Sequence, residues 1–124
     1  MERIVNAIIE NDFDWFVELV ENAGVDQVDS NGLTPLMYCI QNERSKMIDY
    51  LLEKEIDINR QDNVGNTALF YAVFKSKNKI ELIEKLLKKG ADMNIANKAG
   101  VTPLSLANSM ANENVMNFIN NWKK

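Results

Sequence analysis

Residues 86–104 read LLKKGADMNIANKAGVTPL, and this stretch decides the fold. Leu86 and Leu87 close an amphipathic run. Gly90 comes after Lys88 and Lys89, where a helix ends in the left-handed conformation that only glycine adopts cheaply. A short polar segment turns over at Asn97 to Gly100. Thr102-Pro103 then opens a new helix, threonine at the N-cap and proline at the first helical position. The stretch reads as helix end, hairpin-like turn, helix start. Working outward, residues 51–69 (LLEKEIDINRQDNVGNTAL) and 29–36 (DSNGLTPL) repeat the same grammar.

Thr34 and Thr67 lie 33 residues apart, and Thr67 and Thr102 lie 35 apart. A turn, a T-P-L start and two helices at a period of about 33 form the signature of one repeat family. The chain resembles the ankyrin-repeat family over nearly its whole length. The resemblance implies an all-α solenoid of four helix pairs linked by hairpin-like loops. It also implies a single domain: an N-terminal capping repeat (1–28), two full repeats (29–61 and 62–96) and a C-terminal capping repeat (97–124).

A chain of 124 residues suits one domain, and 46% hydrophobic residues is ordinary for a folded one. No run of about 18 apolar residues is present, so no membrane span is expected. Residues 1–10 lack the basic start and apolar centre of a secretory signal. The single cysteine, Cys39, excludes an internal disulfide and suits a reducing, cytoplasmic setting. The net charge of −4 hides an asymmetry. Residues 1–30 hold eight acids (Glu2, Glu10, Asp12, Asp14, Glu18, Glu21, Asp26, Asp29) against one base, Arg3. That pole is either a solvated capping face or a surface that attracts a basic partner.

In chain order, residues 2–10 predict a short helix with Ile4, Ala7 and Ile8 inward. Asp12 predicts the cap of a second helix, running to about Glu21, with Trp15, Phe16, Leu19 and Val20 on one stripe and Trp15 buried. In the first full repeat, Asn31-Gly32 supplies a turn, and Thr34, Pro35 and Leu36 start an inner helix ending near Asn42. Met47, Ile48, Leu51 and Leu52 form the outer stripe, with Leu52 expected between repeats. Glu55 stands where the family has glycine, at about 1 kcal/mol if the left-handed conformation is kept. The next repeat opens at Asp62, with Gly65, Thr67, Ala68 and Leu69, and its outer stripe is Leu82, Ile83, Leu86 and Leu87. Its two extra residues are placed around Lys75-Ser76-Lys77-Asn78, in a longer inter-helix loop that also gathers Lys79. The last repeat has Asn97, Gly100, Thr102, Pro103, Leu104 and Ala107, then Val115, Met116 and Ile119. Asn120 takes the place of an outer leucine, as a C-terminal cap requires.

The histidine of the family's T-P-L-H motif is Met37, Phe70 and Ser105 here, and the chain has no histidine at all. The commonest general base and metal ligand is therefore missing. Cys39 stands at a small core position shared by Ala72 and Ala107, and no base is evident to activate it. No phosphate-binding loop or metal-ligand spacing occurs. The expectation is no catalytic residue, no metal, no cofactor and no nucleic-acid partner. Asn59 and Asn94 sit in a context that the family can hydroxylate; the other reading is that their amides bond the hairpin backbone.

By that resemblance, function resides in a surface formed by inner helices and hairpin tips. The partner-facing positions map onto Ser30, Asn31, Leu33, Gln41 and Asn42, then Asn63, Val64, Asn66, Phe74 and Lys75, then Lys98, Ala99, Val101, Ser109 and Met110. Tyr38 and Tyr71, at equivalent places, are either binding anchors or packed rings with wet hydroxyls. Asp12, Asp14, Glu18, Glu21, Asp26 and Asp29 would steer a basic partner. The expected function is a non-catalytic protein-interaction module, monomeric when unbound. The alternative is a small stand-alone inhibitor, such as an immunity protein that neutralises a basic toxin; the capped ends and lack of an effector domain suit that reading.

Overall fold

In the computed structural model, which describes residues 1–77 and 79–122, eight helices and no strands are present among the described residues. They are α1 (Glu2–Ile9), α2 (Phe13–Ala23), α3 (Pro35–Gln41), α4 (Ser45–Leu52), α5 (Ala68–Phe74), α6 (Glu81–Lys88), α7 (Pro103–Ser109) and α8 (Glu113–Asn120). Helices pair in sequence order: α1 with α2, α3 with α4, α5 with α6, α7 with α8. The chain divides into two compact units, Met1–Asp57 and Ile58–Lys124. In the first, α1 also packs on α3 and α2 on α4; in the second, α5 packs on α7.

Local chemistry sets the helix starts. Thr34, Thr67 and Thr102 each take extended backbone and accept a hydrogen bond from the N–H three residues on, at Met37, Phe70 and Ser105. Asp12 does the same for Trp15 and Asn112 for Val115. Each such cap stabilises its helix by about 1 kcal/mol. The outer helices α4 and α6 start without a side-chain cap, so they depend on packing. Leu36, Leu51, Leu69 and Leu86 are at most 2% exposed. Burial of each contributes roughly 1.5–3 kcal/mol.

The three motif substitutes behave differently. Met37 is packed into the core, Phe70 is half-buried, and Ser105 is exposed, where it closes a reciprocal capping box with Thr102. Ile4, Ala7 and Ile8 point inward as expected. Trp15 does not: it is half-buried, as is Leu19, and only Phe16 and Val20 of that stripe are fully covered. The core side of α2 lies at Phe16, whose ring meets Tyr50 edge-on at 6.1 Å. Leu52 is likewise half-buried, whereas Leu87 is 5% exposed. Leu82 and Met116 are half-buried as well.

Glu55 escapes the strain expected of it. It is not among the residues with positive φ, whereas Gly90, at the equivalent place, has φ +102°. Among the described residues, the left-handed non-glycine ones are Asn11, Glu43 and Lys77, each in the turn between the two helices of a pair. There the chain reverses after an inner helix, and Asp12 N–H and Arg44 N–H each bond back five residues, to Ala7 O and Cys39 O. The extra length of the second full repeat falls in residues 75–80, where six residues join α5 to α6; residues 42–44 and 110–112 do the same in three. Asn78 lies outside the described residues.

Candidate interaction surface

Each hairpin is built on its first residue. Asp29 Oδ1 accepts from the N–H groups of Asn31 and Leu33, both at 2.9 Å. Asp62 Oδ1 accepts from Val64 and Asn66, and Asn97 Oδ1 from Ala99 and Val101. Two backbone bonds finish each loop: Asp29 N–H to Leu33 O and Gly32 N–H to Asp29 O in the first, with the same pair at 62–66 and 97–101. Gly32, Gly65 and Gly100 supply the positive φ these turns need.

The second carboxylate oxygen has another role, one that periodicity does not reveal. The Tyr38 hydroxyl donates to Asp29 Oδ2, and the Tyr71 hydroxyl donates to Asp62 Oδ2. Each bond ties a hairpin to the inner helix nine residues further on. The tyrosines are half-buried, with their hydroxyls held by aspartate. The Asp29 carboxylate pushes the Tyr38 phenol up to about 12, aided by burial. Burial opposes the charged form of Asp29, but the Tyr38 hydroxyl and the Leu33 and Asn31 N–H groups prevail and hold its pKa below the usual value. Burial, then Asp62, raises the Tyr71 phenol.

In the first unit, Ser30 and Asn31 are exposed at the hairpin tip, while Leu33, Gln41 and Asn42 are half-buried. Asn42 donates its amide to Tyr38 O, so it also finishes α3. The acids all border solvent, yet several hold structure. Asp12 caps α2, and Asp26 accepts from Asp57 N–H at 3.4 Å. Glu21 accepts from Tyr50 and pairs with Lys54 at 2.8 Å, and Lys54 is the main cause of its lowered pKa. Asp14 and Glu18 are exposed. Arg44 was not singled out in the sequence, yet its guanidinium caps the end of α1 at Ile8 O and Ile9 O. An arginine just before an outer helix gives no sequence signal for a carbonyl some 35 residues upstream.

In the second unit, Asn63, Val64, Phe74, Lys98, Ala99 and Ser109 are exposed, and Asn66, Tyr71, Lys75, Val101 and Met110 are half-buried. The hairpins at 62–66 and 97–101 are brought together. Lys98 N–H donates to Val64 O at 3.0 Å, and the Asn97 amide donates to Asn66 Oδ1 at 2.8 Å. Asn59 accepts from Asp92 N–H and donates to Gly90 O, which is the hairpin-bonding role considered for it. A cavity of about 450 Å³ lies against α8, lined by Ile80, Asn114, Asn117, Phe118, Asn121 and Trp122, none of them ionisable. Cys39 is fully buried, and that burial pushes its thiol up to about 12. No group of three or more metal-ligating side chains occurs among the described residues, and no described helix is long and apolar enough to cross a membrane.

Residues 4–97 match the family profile described as ankyrin repeats, three copies. The chain is 34% identical over 92 residues to an ankyrin repeat protein of Rickettsia bellii, covering 74% of this chain and 50% of that protein. It is 42% identical over 79 residues to ankyrin repeat protein L92 of Acanthamoeba polyphaga mimivirus, covering 63% of this chain and 19% of the other. It is 39% identical over 83 residues to ankyrin repeat and SAM domain-containing protein 6 of Rattus norvegicus, covering 66% and 9%. The chain thus spans half or less of these relatives.

Proposed function

The chain belongs to the ankyrin-repeat family, and on that premise we propose that it is a non-catalytic module that binds a basic protein partner. Ankyrin repeats are protein-interaction modules, and the charge distribution carries the finer reading. Residues 1–57 hold 13 acids and 4 bases, a net −9; residues 58–124 hold 5 acids and 10 bases, a net +5. The first unit therefore presents a strong negative field around the hairpin at Ser30, Asn31 and Leu33. Asp12, Asp14, Glu18, Glu21, Asp26 and Asp29 steer the partner, and the hairpin tips and inner-helix positions make the short-range contacts. Inhibition of a basic enzyme or toxin by a monomer in a reducing compartment is the specific form we favour. The acid asymmetry supports it, because capping requires polar residues but not residues of one sign.

Fields of exposed charge reach roughly 8–10 Å at physiological salt, so they act on association more than on dissociation. Stopped-flow association with the partner, across a salt series, tests this. Asp14→Asn with Glu18→Gln removes two exposed acids and should slow association and flatten the salt slope. An association rate indifferent to salt and to both changes would reduce the acids to a solvated cap. Cys39 offers a separate check on the absence of catalysis. A buried thiol with a raised pKa should label slowly until the chain unfolds. Rapid labelling of the native protein would reopen a thiol chemistry.

A further inference from the structure

The last repeat carries almost no charge. Residues 99–122 hold six asparagines and one ionisable side chain, Glu113. A solvated helix does not require this: α6 carries Glu81, Glu84, Lys85 and Lys88, whereas α8 has asparagines. Three of the six asparagines hold the fold. Asn112 caps α8 by accepting from Val115 N–H, and Asn120 donates its amide to Asn108 Oδ1 at 2.7 Å. The side chains of the other three, Asn114, Asn117 and Asn121, form no hydrogen bond among the described residues. All three line the same cavity.

The cavity is built on one helix face. Asn114, Asn117, Phe118, Asn121 and Trp122 follow the three-and-four spacing that puts side chains on one side of α8. Asn121 keeps helical backbone past the last residue of α8, its N–H bonded to Asn117 O at 3.1 Å, so the face continues to its end. The amides are exposed. Phe118 and Trp122 are half-buried, their rings 5.8 Å apart and tilted by 44° instead of stacked on each other. Ile80, just ahead of α6, adds an apolar side chain from outside α8. The volume of about 450 Å³ falls among small-molecule sites, which run from about 300 to 1,000 Å³.

We propose that this cavity binds a neutral pyranose sugar. No lining residue is ionisable, so nothing there offsets the desolvation of a charged ligand. Each asparagine amide both donates and accepts, as does each sugar hydroxyl. The three amides span about 10 Å of α8, so they meet a ring of hydroxyls and not a single group. A pyranose also presents a face of C–H bonds, which the negative face of an aromatic ring attracts. Phe118 and Trp122 supply such faces beside the amides. A wholly apolar ligand would leave the amides without partners, and a nucleotide or carboxylate would bring unpaired charge. None of the lining residues belongs to the hairpin tips, the inner helices or the acidic unit, so the site goes beyond the function proposed above and does not depend on it.

The test is a chemical-shift titration of the full chain, read at the backbone amides, the asparagine side-chain amides and the tryptophan indole N–H. The probes are the methyl glycosides of glucose, galactose, mannose and N-acetylglucosamine, with methyl glucuronide as the charged counterpart. At least one neutral glycoside should shift Asn114, Asn117, Asn121 and the Trp122 indole, with a Kd of about 1 mM, as the efficiency of a ligand this small implies. Methyl glucuronide should bind more weakly by about tenfold. Asn117→Ala should weaken binding about fivefold and Trp122→Ala about tenfold. Asn117 is exposed, so its loss should leave the melting curve unchanged and read binding alone. Shifts from none of the neutral sugars, equal binding of the glucuronide, or binding that survives both substitutions would overturn the proposal. Movement of the same resonances on dilution without sugar would also overturn it, by giving this face to a second copy of the chain.

Discussion

The hairpin that opens at Asp62 and the hairpin that opens at Asn97 have the same backbone bonds and the same Asx closure, but their second side-chain atoms reach in different directions. Asp62 turns its other oxygen inward, to the Tyr71 hydroxyl of its own repeat. Asn97 turns its amide sideways, to Asn66 of the preceding hairpin. Nine residues past Asn97 stands Leu106, which has no hydroxyl to offer. A carboxylate therefore accompanies a tyrosine, and an amide accompanies a leucine. One position closes a repeat on itself; the other joins it to its neighbour.

The largest break in this comparison should come from the glycines. A Cβ on Gly65 would lie 2.8 Å from Asn97 Cα and 2.9 Å from Lys98 N, backbone atoms that cannot move aside alone. Gly65→Ala should cost about 3 kcal/mol, combining that clash with a left-handed non-glycine residue. Gly100→Ala meets nothing within 4 Å and should cost only about 1 kcal/mol for its φ. Urea melts of the two variants check the difference, and equal losses would mean the two hairpins are not in close contact.

Smaller effects should separate the two side-chain roles. Asp62→Asn preserves the acceptor for Val64 and Asn66 but removes the carboxylate from Tyr71, at about 1–2 kcal/mol. In a double-mutant cycle with Tyr71→Phe, most of that loss should appear as coupling between the pair. Additive losses would show that the hydroxyl bond is unimportant.

The first hairpin gives a pH signature that the Asn97 hairpin cannot. Tyr38 is neutral-favoured in the folded state, its pKa raised from 10.0 to about 12. Its contribution is complete below pH 10 and is lost as pH rises toward 12. Asp29 has the opposite sense: its pKa is lowered, so its contribution is present above the unfolded carboxylate value and is lost as pH falls through the folded one. Tyr38→Phe should flatten the alkaline limb of a stability–pH curve and reduce the acid limb. The smallest effect should come from converting one hairpin into the other. Asn97→Asp with Leu106→Tyr installs the carboxylate–hydroxyl pair in the last repeat, and the pair should couple by about 1 kcal/mol or less, since Asn97 and Leu106 are only half-buried.

Those pairs also mark the limit of what the sequence makes legible. Thr34, Thr67 and Thr102 predict the inner-helix starts because a cap is a local event, settled within three residues. The lengthened loop at 75–80 was legible because repeats supply their own ruler. Asp29 and Asp62 were legible as hairpin openers, but not as acceptors for tyrosine, since a carboxylate has two oxygens and periodicity accounts for one. Trp15 and Leu52 misled because an apolar stripe shows which face turns inward and not how far the neighbour covers it. Glu55 misled because the backbone avoided the left-handed state instead of forcing glutamate into it. Arg44 illustrates a side chain whose partners are backbone carbonyls, which carry no residue identity to read.

The aspartate–tyrosine bonds bear on how the chain reaches its fold. Each closes a loop of nine residues, and closure entropy rises only slowly with loop length. A hairpin and the helix after it can thus meet before any neighbouring repeat is in place. Contacts this short in sequence keep the contact order low, which favours rapid folding. The pair at Asp62 and Tyr71 holds its hairpin against α5, the helix on which α7 packs, whereas Asn97 bonds to Asn66 of the neighbouring hairpin.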